Sequence, residues 1–538
     1  MLSDQSAFYV TTPIYYVNDR PHIGHVYTTA MADVIARYHR LRGEDVFFLT
    51  GTDEHAAKVV DSARERGLTP QQWADQNARA FQETFTRLGM SHDDFIRTSE
   101  ARHREKVEKY VKALIESGDV YLGEYEGWYD PGEEEYVPEK RAQEHGYKSP
   151  ISGRDLVRRK ENNYFFRLSN YREELLQLLE KGEEVDSCRF DVMPNARKNE
   201  IIARIRDAED VPISRTGQTE WGIPVPGDPS HTIYVWIDAL FNYLTTVDTD
   251  DRRKYWHSGA VHLIAKDILW FHAAIWPAVL LALRKCPGYE WVNLPRLVYA
   301  HSFWISEGQK MSKSLGNFID LEKIDYYVET FGLDALRYFL AAKGPMGTTD
   351  GDFAEAAFIE TYNSDLANTF GNSASRVTNM INKYFAGKVP EKGAPVDVDS
   401  DYDSSAVRAV ARFDQSMKEL ALEGAIGAGL DLVRAVDSYI EKTKPFKLAK
   451  DESTMPQVGT ILYNCVEALR IASVLLWPVI PGKAEEFWKR LGLTYAQEMR
   501  NNEGRGSLAV WSQWGGLAPG MPVEKGEPLF PRWQPAKV

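Results

Sequence analysis

The chain has 538 residues, a formal net charge of −14, and 43% hydrophobic and 26% charged residues, which excludes disordered and collagen-like classes and implies about three domains. Three widely spaced cysteines, Cys188, Cys286 and Cys465, exclude a disulfide framework and fit a reducing, cytoplasmic compartment. The apolar stretches at 270–283 and 471–480 carry His or Pro and read as too short for a bilayer, and no charged-then-apolar leader precedes residue 7, so no membrane or export role is expected.

Residues 7–16 alternate and are rich in Tyr, Val, Ile and Thr, the pattern of a strand. After a loop with Asn18, Asp19 and Pro21, Val26, Ala30, Met31, Val34, Ile35, Tyr38 and Leu41 recur at helical spacing up to Gly43. Residues 45–53 form a near-continuous apolar run of the kind buried on both faces in parallel sheets. Strand, helix and strand make a βαβ unit, so an α/β domain with a doubly wound parallel sheet is expected, its first half over 1–115. From 116 to 230 the pattern breaks into short polar pieces rich in Gly and Glu, which reads as an insertion. The α/β pattern resumes over 231–325, with strands expected at 232–237, 261–265 and 296–302 and helices at 239–246 and 268–283. Residues 326–355 link to a helical region, 356–500, whose long segments at 357–385, 404–447 and 456–478 predict an antiparallel bundle. The Pro- and Gly-rich stretch 501–538 is expected to pack back as an extended tail.

Two segments carry the chemistry. Pro21-His22-Ile23-Gly24-His25 falls at the first strand-to-helix turn, and Lys310-Met311-Ser312-Lys313-Ser314 falls on a later loop. With 12 His and 38 Gly in 538 residues, His-x-Gly-His is expected by chance about 0.02 times per chain. A helix start attracts phosphate through its unsatisfied N–H groups, and Gly24 lets a nucleotide approach without a Cβ in the way. His22 and His25 can donate to phosphate oxygens as charge grows on them, and Lys310 and Lys313 can neutralise a departing pyrophosphate. The plainer alternative is a capped helix and a solvated loop. Asp53 ends a buried strand, where a carboxylate needs a partner, on the edge where open α/β sheets bind ligands. Basic clusters at Arg154, Arg158, Arg159 and Lys160, and at Lys442, Lys444, Lys447 and Lys450, could meet a polyanion despite the acidic total, or be solvated faces.

These segments, with Thr12-Pro13-Ile14-Tyr15-Tyr16, Phe48-Leu49-Thr50-Gly51-Thr52-Asp53-Glu54-His55, Trp221-Gly222-Ile223-Pro224-Val225-Pro226-Gly227, Tyr234-Val235-Trp236-Ile237-Asp238-Ala239-Leu240 and the closing Pro528-Leu529-Phe530-Pro531-Arg532, resemble the class I aminoacyl-tRNA synthetases. Within that class the resemblance is to the methionyl family, over nearly the whole length. It implies a Rossmann-like catalytic domain with an inserted connective domain, followed by an all-α anticodon-binding bundle. It also implies a ligase that activates methionine with ATP and magnesium and transfers it to the terminal adenosine of methionine tRNA, initiator and elongator. Carried over residue by residue, ATP would be held by Gly24, His22, His25, Asp267 and Lys313, with His22, His25, Lys310 and Lys313 catalytic. The methionine pocket would use Ile14, Tyr16, Trp236, Ala239, Leu240, Tyr243, Ile268 and His272, with Asp53 on the ammonium and Tyr243 and His272 facing the thioether. Asn372, Arg376 and Phe446 fall at anticodon-reading positions, Phe446 standing where relatives commonly have Trp. A pocket of this sort rejects a one-methylene neighbour by only about 1–3 kcal/mol, so homocysteine should also be activated.

Departures from the family narrow the reading. Many relatives bind structural zinc through Cys-x-x-Cys knuckles in the insertion; here no cysteine precedes Cys188, and Ser149-Pro150-Ile151-Ser152 stands where a knuckle would, so a zinc-free insertion with no metal site is expected. The insertion is short for a large editing domain, and no further tRNA-binding module follows the tail, which points to a monomer. A synthetase for cysteine or leucine, and a catalytically inactive tRNA-binding protein on the same scaffold, are the alternatives.

Overall fold

The alternating N-terminal run forms the strand Ala7–Tyr16 at the middle of a six-stranded sheet, in a computed structural model that describes residues 6–132, 135–137, 139–216, 221–312, 315–394, 396 and 402–535. All neighbours in this sheet run parallel, in the order Asp94–Arg97, Asp45–Asp53, Ala7–Tyr16, Val261–Ala265, Leu297–His301, Asp191–Met193. The strand order reverses between Ala7–Tyr16 and Val261–Ala265, and a crevice opens at the carboxyl ends of strands at such a switch point. The helix Ile23–Leu41 leaves the first strand there, and its apolar stripe, including Val26, Met31, Val34, Ile35 and Tyr38, is buried. It ends where Gly43 takes φ +88°, a left-handed conformation that other residues rarely adopt.

The second half differs from the sequence expectation in three places. Residues 232–237 do not form a strand of this sheet: Asp228–Ile233 joins an antiparallel three-stranded sheet with Ser214–Thr216 and Pro224–Val225, and a helix, Val235–Leu240, begins at once. The β-branched Val235 and Ile237 look strand-like, but burying Ile237 and Asp238 on one side of a helix wins over that propensity. Asp191–Met193, inside the stretch read as one insertion over 116–230, pairs with Leu297–His301 as the sheet's sixth strand. Three residues are too few to show a period. The expected helix over 268–283 is a 3₁₀ turn, Lys266–Ile268, a π-helical turn, Phe271–Ile275, and an α-helix, Trp276–Arg284. Pro277, which has no N–H and crowds the preceding turn, accounts for the widening.

The rest of the insertion holds a four-stranded antiparallel sheet, Glu135–Val137, Val120–Asp130, Val157–Phe166 and Val211–Pro212 in that order, with the helices Glu139–Glu144, Arg172–Leu179 and Asn195–Arg206. Ser149 to Ser152 form a turn in which the Ser149 hydroxyl oxygen accepts from the N–H groups of Ile151 and Ser152, at 3.3 and 3.0 Å. The helical region is a bundle of Glu355–Phe385, Tyr402–Lys418, Leu422–Thr443 and Met455–Leu476, the first containing a π-helical stretch. The segment expected as one helix over 404–447 breaks at Leu420, φ 56°, and again at Lys444, φ 48°. The helix around Met455–Leu476 is long and apolar enough to cross a membrane, contrary to the expectation that the apolar stretch at 471–480 is too short, but its apolar window is fully buried among its neighbours. The tail packs back as expected but is less extended than expected: it contains the short helix Leu508–Trp511 and turns at Glu503, Gly504, Gly515 and Gly520, all at positive φ, with Leu529 and Phe530 buried and the Tyr362 hydroxyl donating to the Pro531 carbonyl.

Candidate active site

His22 is the N-cap of helix Ile23–Leu41. Its Nδ1 accepts from the Gly24 N–H at 3.1 Å, and the Nδ1 of His25 accepts from the His22 N–H at 3.3 Å. This is a capping box built from two imidazoles, whose rings lie 3.8 Å apart. A ring nitrogen that accepts from a backbone N–H carries no proton, so each neutral imidazole is protonated at Nε2. Capping therefore uses Nδ1 of each ring and fixes the proton of the neutral form on Nε2. Burial, reinforced by the neighbouring His22, holds His25 well below the ordinary imidazole range, so it stays neutral at pH 7. Gly24 is needed for a nearer reason than nucleotide approach, because a Cβ there would stand 2.9 Å from Cε1 of His22.

The lysine-bearing loop meets this helix start. Trp304–Ser306 and Gln309–Lys310 form a hairpin, and Asn317 closes the loop beyond that hairpin: its carbonyl oxygen accepts from the Ser312 N–H at 2.8 Å, and its amide donates to the carbonyls of Ser306 and Lys310. Phe318 then packs edge-on against His22, centroids 5.2 Å apart, and the Ile23 N–H donates to the Ile319 carbonyl at 3.1 Å. Lys310 is exposed on the hairpin, and Lys313 and Ser314 lie outside the described residues. Asn317 and Phe318 were not singled out from sequence; the only signal was their place just beyond the loop.

A cleft of about 620 Å³ opens between these parts, at the strand-order switch. Its lining brings together Ile14, Tyr16, His22, Gly24, His25, Trp236, Asp267 and Ile268, as expected, with Trp270, Phe271, His301, Phe303, Trp304 and Phe318 in addition. Trp236 stacks on Phe271 at 4.2 Å and meets Tyr16 edge-on at 5.9 Å. Asp53, Ala239, Leu240, Tyr243 and His272 do not line the cleft, being buried next to residues that do. The His272 Nδ1–H donates to the Ile268 carbonyl at 3.0 Å, so its Nε2 accepts from the Tyr243 hydroxyl at 2.8 Å. Burial pushes His272 down to about 4, so this pair is neutral at pH 7. Both protons of the pair are committed to partners within the protein.

In the bundle, Asn372 and Arg376 share one face of the helix Asn372–Phe385, and Arg376 pairs with Glu441 at 2.6 Å. Phe446 is 37% exposed, five residues beyond Glu441, with Lys442, Lys444, Lys447 and Lys450 exposed around it. In the other basic cluster two of the four cations are paired across strands, Arg158 with Glu126 at 2.9 Å and Lys160 with Glu124, and Arg159 lies over the Tyr129 ring. Among the described residues no group of three or more His, Cys, Asp or Glu could hold a metal ion.

Comparison with known proteins shows the family. The family model described as class I tRNA synthetases (M) matches residues 8–146 and 142–378. The methionine–tRNA ligase of Halalkalibacterium halodurans is 40% identical over 553 residues, covering 99% of this chain and 79% of the relative. That of Caldanaerobacter subterraneus is 41% identical over 536 residues, with 98% and 79% covered. The structure of Mycobacterium tuberculosis methionyl-tRNA synthetase in complex with methionyl-adenylate is similar with a TM-score of 0.87 and 34% identity, over 98% of this chain and 100% of that one. The free state of the same enzyme is similar with a TM-score of 0.81 and 32% identity, over 99% and 100%. The double cap itself has a direct check. In long-range 1H–15N spectra of imidazole-labelled protein, His22 and His25 should both be protonated at Nε2 only, and His25 should stay neutral as pH falls through 6.5. A proton on Nδ1 of either ring near neutrality would contradict the cap.

Proposed function

Because this chain belongs to the methionyl family of class I tRNA synthetases, we propose how its own residues carry out that family's reaction. The chain activates L-methionine with ATP to methionyl-adenylate and transfers the methionyl group to tRNA. The observation that carries the assignment of roles is the contact of His22 and Ile23 with Phe318 and Ile319, a few residues beyond the lysine-bearing segment, at a cleft that His22, Gly24, His25 and Phe318 line and Lys310 does not.

The methionine carboxylate attacks the α-phosphorus of ATP, supplied as its magnesium complex, and pyrophosphate leaves. His22 and His25 donate from Nε2 to phosphate oxygens that gain charge during this displacement, and Gly24 keeps the His22 ring in place. Lys310 and Lys313 neutralise the departing pyrophosphate, and Asp267 is placed at the cleft for the nucleotide. No enzyme nucleophile is needed; positioning and electrostatics supply the rate. The methionine side chain rests on Ile14, Tyr16, Trp236 and Ile268. Ala239, Leu240, Tyr243 and His272 back that wall, as does Asp53 at the end of its strand, whose role as partner of the ammonium requires the wall to open to it. Asn372, Arg376 and Phe446, among exposed lysines, read the anticodon, with Phe446 stacking on a base. The catalytic domain spans 1–115 and 231–325, apart from the strand Asp191–Met193 that the insertion contributes. A monomer in the cytoplasm, without a membrane partner, completes the reading; three buried cysteines outside any disulfide support the compartment, and the burial of the most apolar helix supports the lack of a membrane role.

Pyrophosphate exchange tests the reading. It should depend on methionine, proceed more weakly with homocysteine, and be absent with cysteine and leucine. Removing one donor of this kind costs about 10²–10³ in rate, so His22→Ala should fall by that factor. His22→Asn should fall equally while restoring thermal stability, since asparagine caps a helix but does not reproduce the Nε2–H donor. Exchange with no amino acid at all would favour the inactive tRNA-binding protein, and an active His22→Asn would remove the histidine from the chemistry.

The zinc-free insertion is also proposed. The Ser149 turn, closed by a hydroxyl, and the apolar cluster of Val137, Ala142 and Leu156 against Trp128 hold the region without a thiolate. Metal analysis of protein purified without chelator should find well under one zinc per chain, about one per chain being the contrary result.

A further inference from the structure

Three elements meet at one buried carboxylate that the reaction does not use. Asp238, on the helix Val235–Leu240, is 1% exposed. The His55 Nδ1–H donates to one of its oxygens at 2.6 Å and the His103 Nε2–H to the other at 2.7 Å. His55 lies two residues beyond the strand Asp45–Asp53, and His103, fully buried on the helix Ala101–Glu116, is itself fixed by Nδ1 against the Thr245 hydroxyl at 2.9 Å. None of Asp238, His55 and His103 lines the cleft, whereas Trp236, two residues before Asp238, forms part of its wall.

A six-residue helix has little stability of its own, and this one has no side-chain cap at its N-terminus. Its orientation must come from tertiary contacts. Two imidazoles donating to the two oxygens of one carboxylate resist rolling of the helix in either direction, which a single hydrogen bond would not. The Trp236 ring, stacked on Phe271 and edge-on to Tyr16, moves with that helix. Displacement of a wall residue by about 1 Å is enough to disturb the fit of a bound substrate.

We propose that Asp238, gripped by His55 and His103, is a positioning residue that sets the Trp236 wall of the methionine site; this rests on the function proposed above. The charge balance agrees: burial alone would raise the Asp238 carboxyl, and His55 and His103 reverse this and hold it at about 2, so the carboxylate stays ionised at working pH.

The test separates positioning from plain stability. His103→Leu removes one donor, whereas His103→Gln keeps an amide donor near the place of Nε2. In methionine-dependent pyrophosphate exchange, the leucine variant should raise KM for methionine roughly tenfold, with KM for ATP and kcat within about twofold of the parent, and the glutamine variant should restore the parent KM. Thr245→Val, which leaves the bond to Asp238 intact but loosens the His103 ring, should give an intermediate KM and serves if His103→Leu does not fold. Unchanged methionine KM in the leucine or valine variant, or a glutamine variant as impaired as leucine, overturns the proposal even if the melting temperature falls. Methionine-dependent exchange in the parent protein checks the functional reading separately.

Discussion

The helix Ile23–Leu41 is the constraint on which the site depends, because the same element carries the imidazole pair and receives the rest of the molecule. Its first N–H is bonded to Ile319, and its cap ring is packed by Phe318, so the lysine-bearing hairpin cannot be placed independently of the imidazoles. Its second half is held by Arg337 of the linking region and by Trp477 and Asp414 of the helical region. Arg337 donates to Asp33 at 2.6 Å within a buried pair, Arg37 lies over Trp477, and the Tyr38 hydroxyl donates to Asp414 at 2.8 Å. Burial alone would raise the Asp33 carboxyl, but the guanidiniums of Arg37 and Arg337 reverse this and keep it well below the usual carboxylate range. Leaving such a carboxylate buried and unpaired costs about 3–5 kcal/mol, so the two domains are joined at this helix by more than surface contact.

The imidazole cap shows how a structural role and a chemical role coincide. A serine or aspartate would cap the helix as well, but would point no N–H outward. An imidazole has two nitrogens of opposite character when neutral, and using Nδ1 for the backbone fixes Nε2 as the donor. Gly24 fits the same logic: the ring of His22 occupies the space that its side chain would need. The buried Tyr243–His272 pair uses the same economy, each proton already directed to a partner within the protein.

Much of this was legible in the sequence because it rests on long, regular signals. The βαβ opening has clear periodicity, and the segment Pro21–His25 is rare enough to mark the cleft, so His22, Gly24 and His25 are found on it together with Trp236 and Ile268, whereas Lys310 is not. What was not legible depends on short elements or on tertiary packing. Asp191–Met193 is too brief to carry a pattern, and Val235–Leu240 looks like a strand until its burial is known. Tyr243 and His272 cannot be told from core residues by spacing, and the structure puts them behind the wall of the cleft. Asn317 and Phe318 act through backbone bonds and a ring edge that no local composition reveals.

The account stands on a single bound nucleotide spanning both motif segments. A crystal structure with methionine and a non-hydrolysable ATP analogue tests this most directly. The triphosphate should lie within hydrogen-bond distance of Nε2 on His22 and His25, with a lysine of the Lys310–Ser314 loop on its far side and the methionine side chain against Trp236. A nucleotide bound elsewhere, or contacting one segment while the other faces solvent, would contradict it.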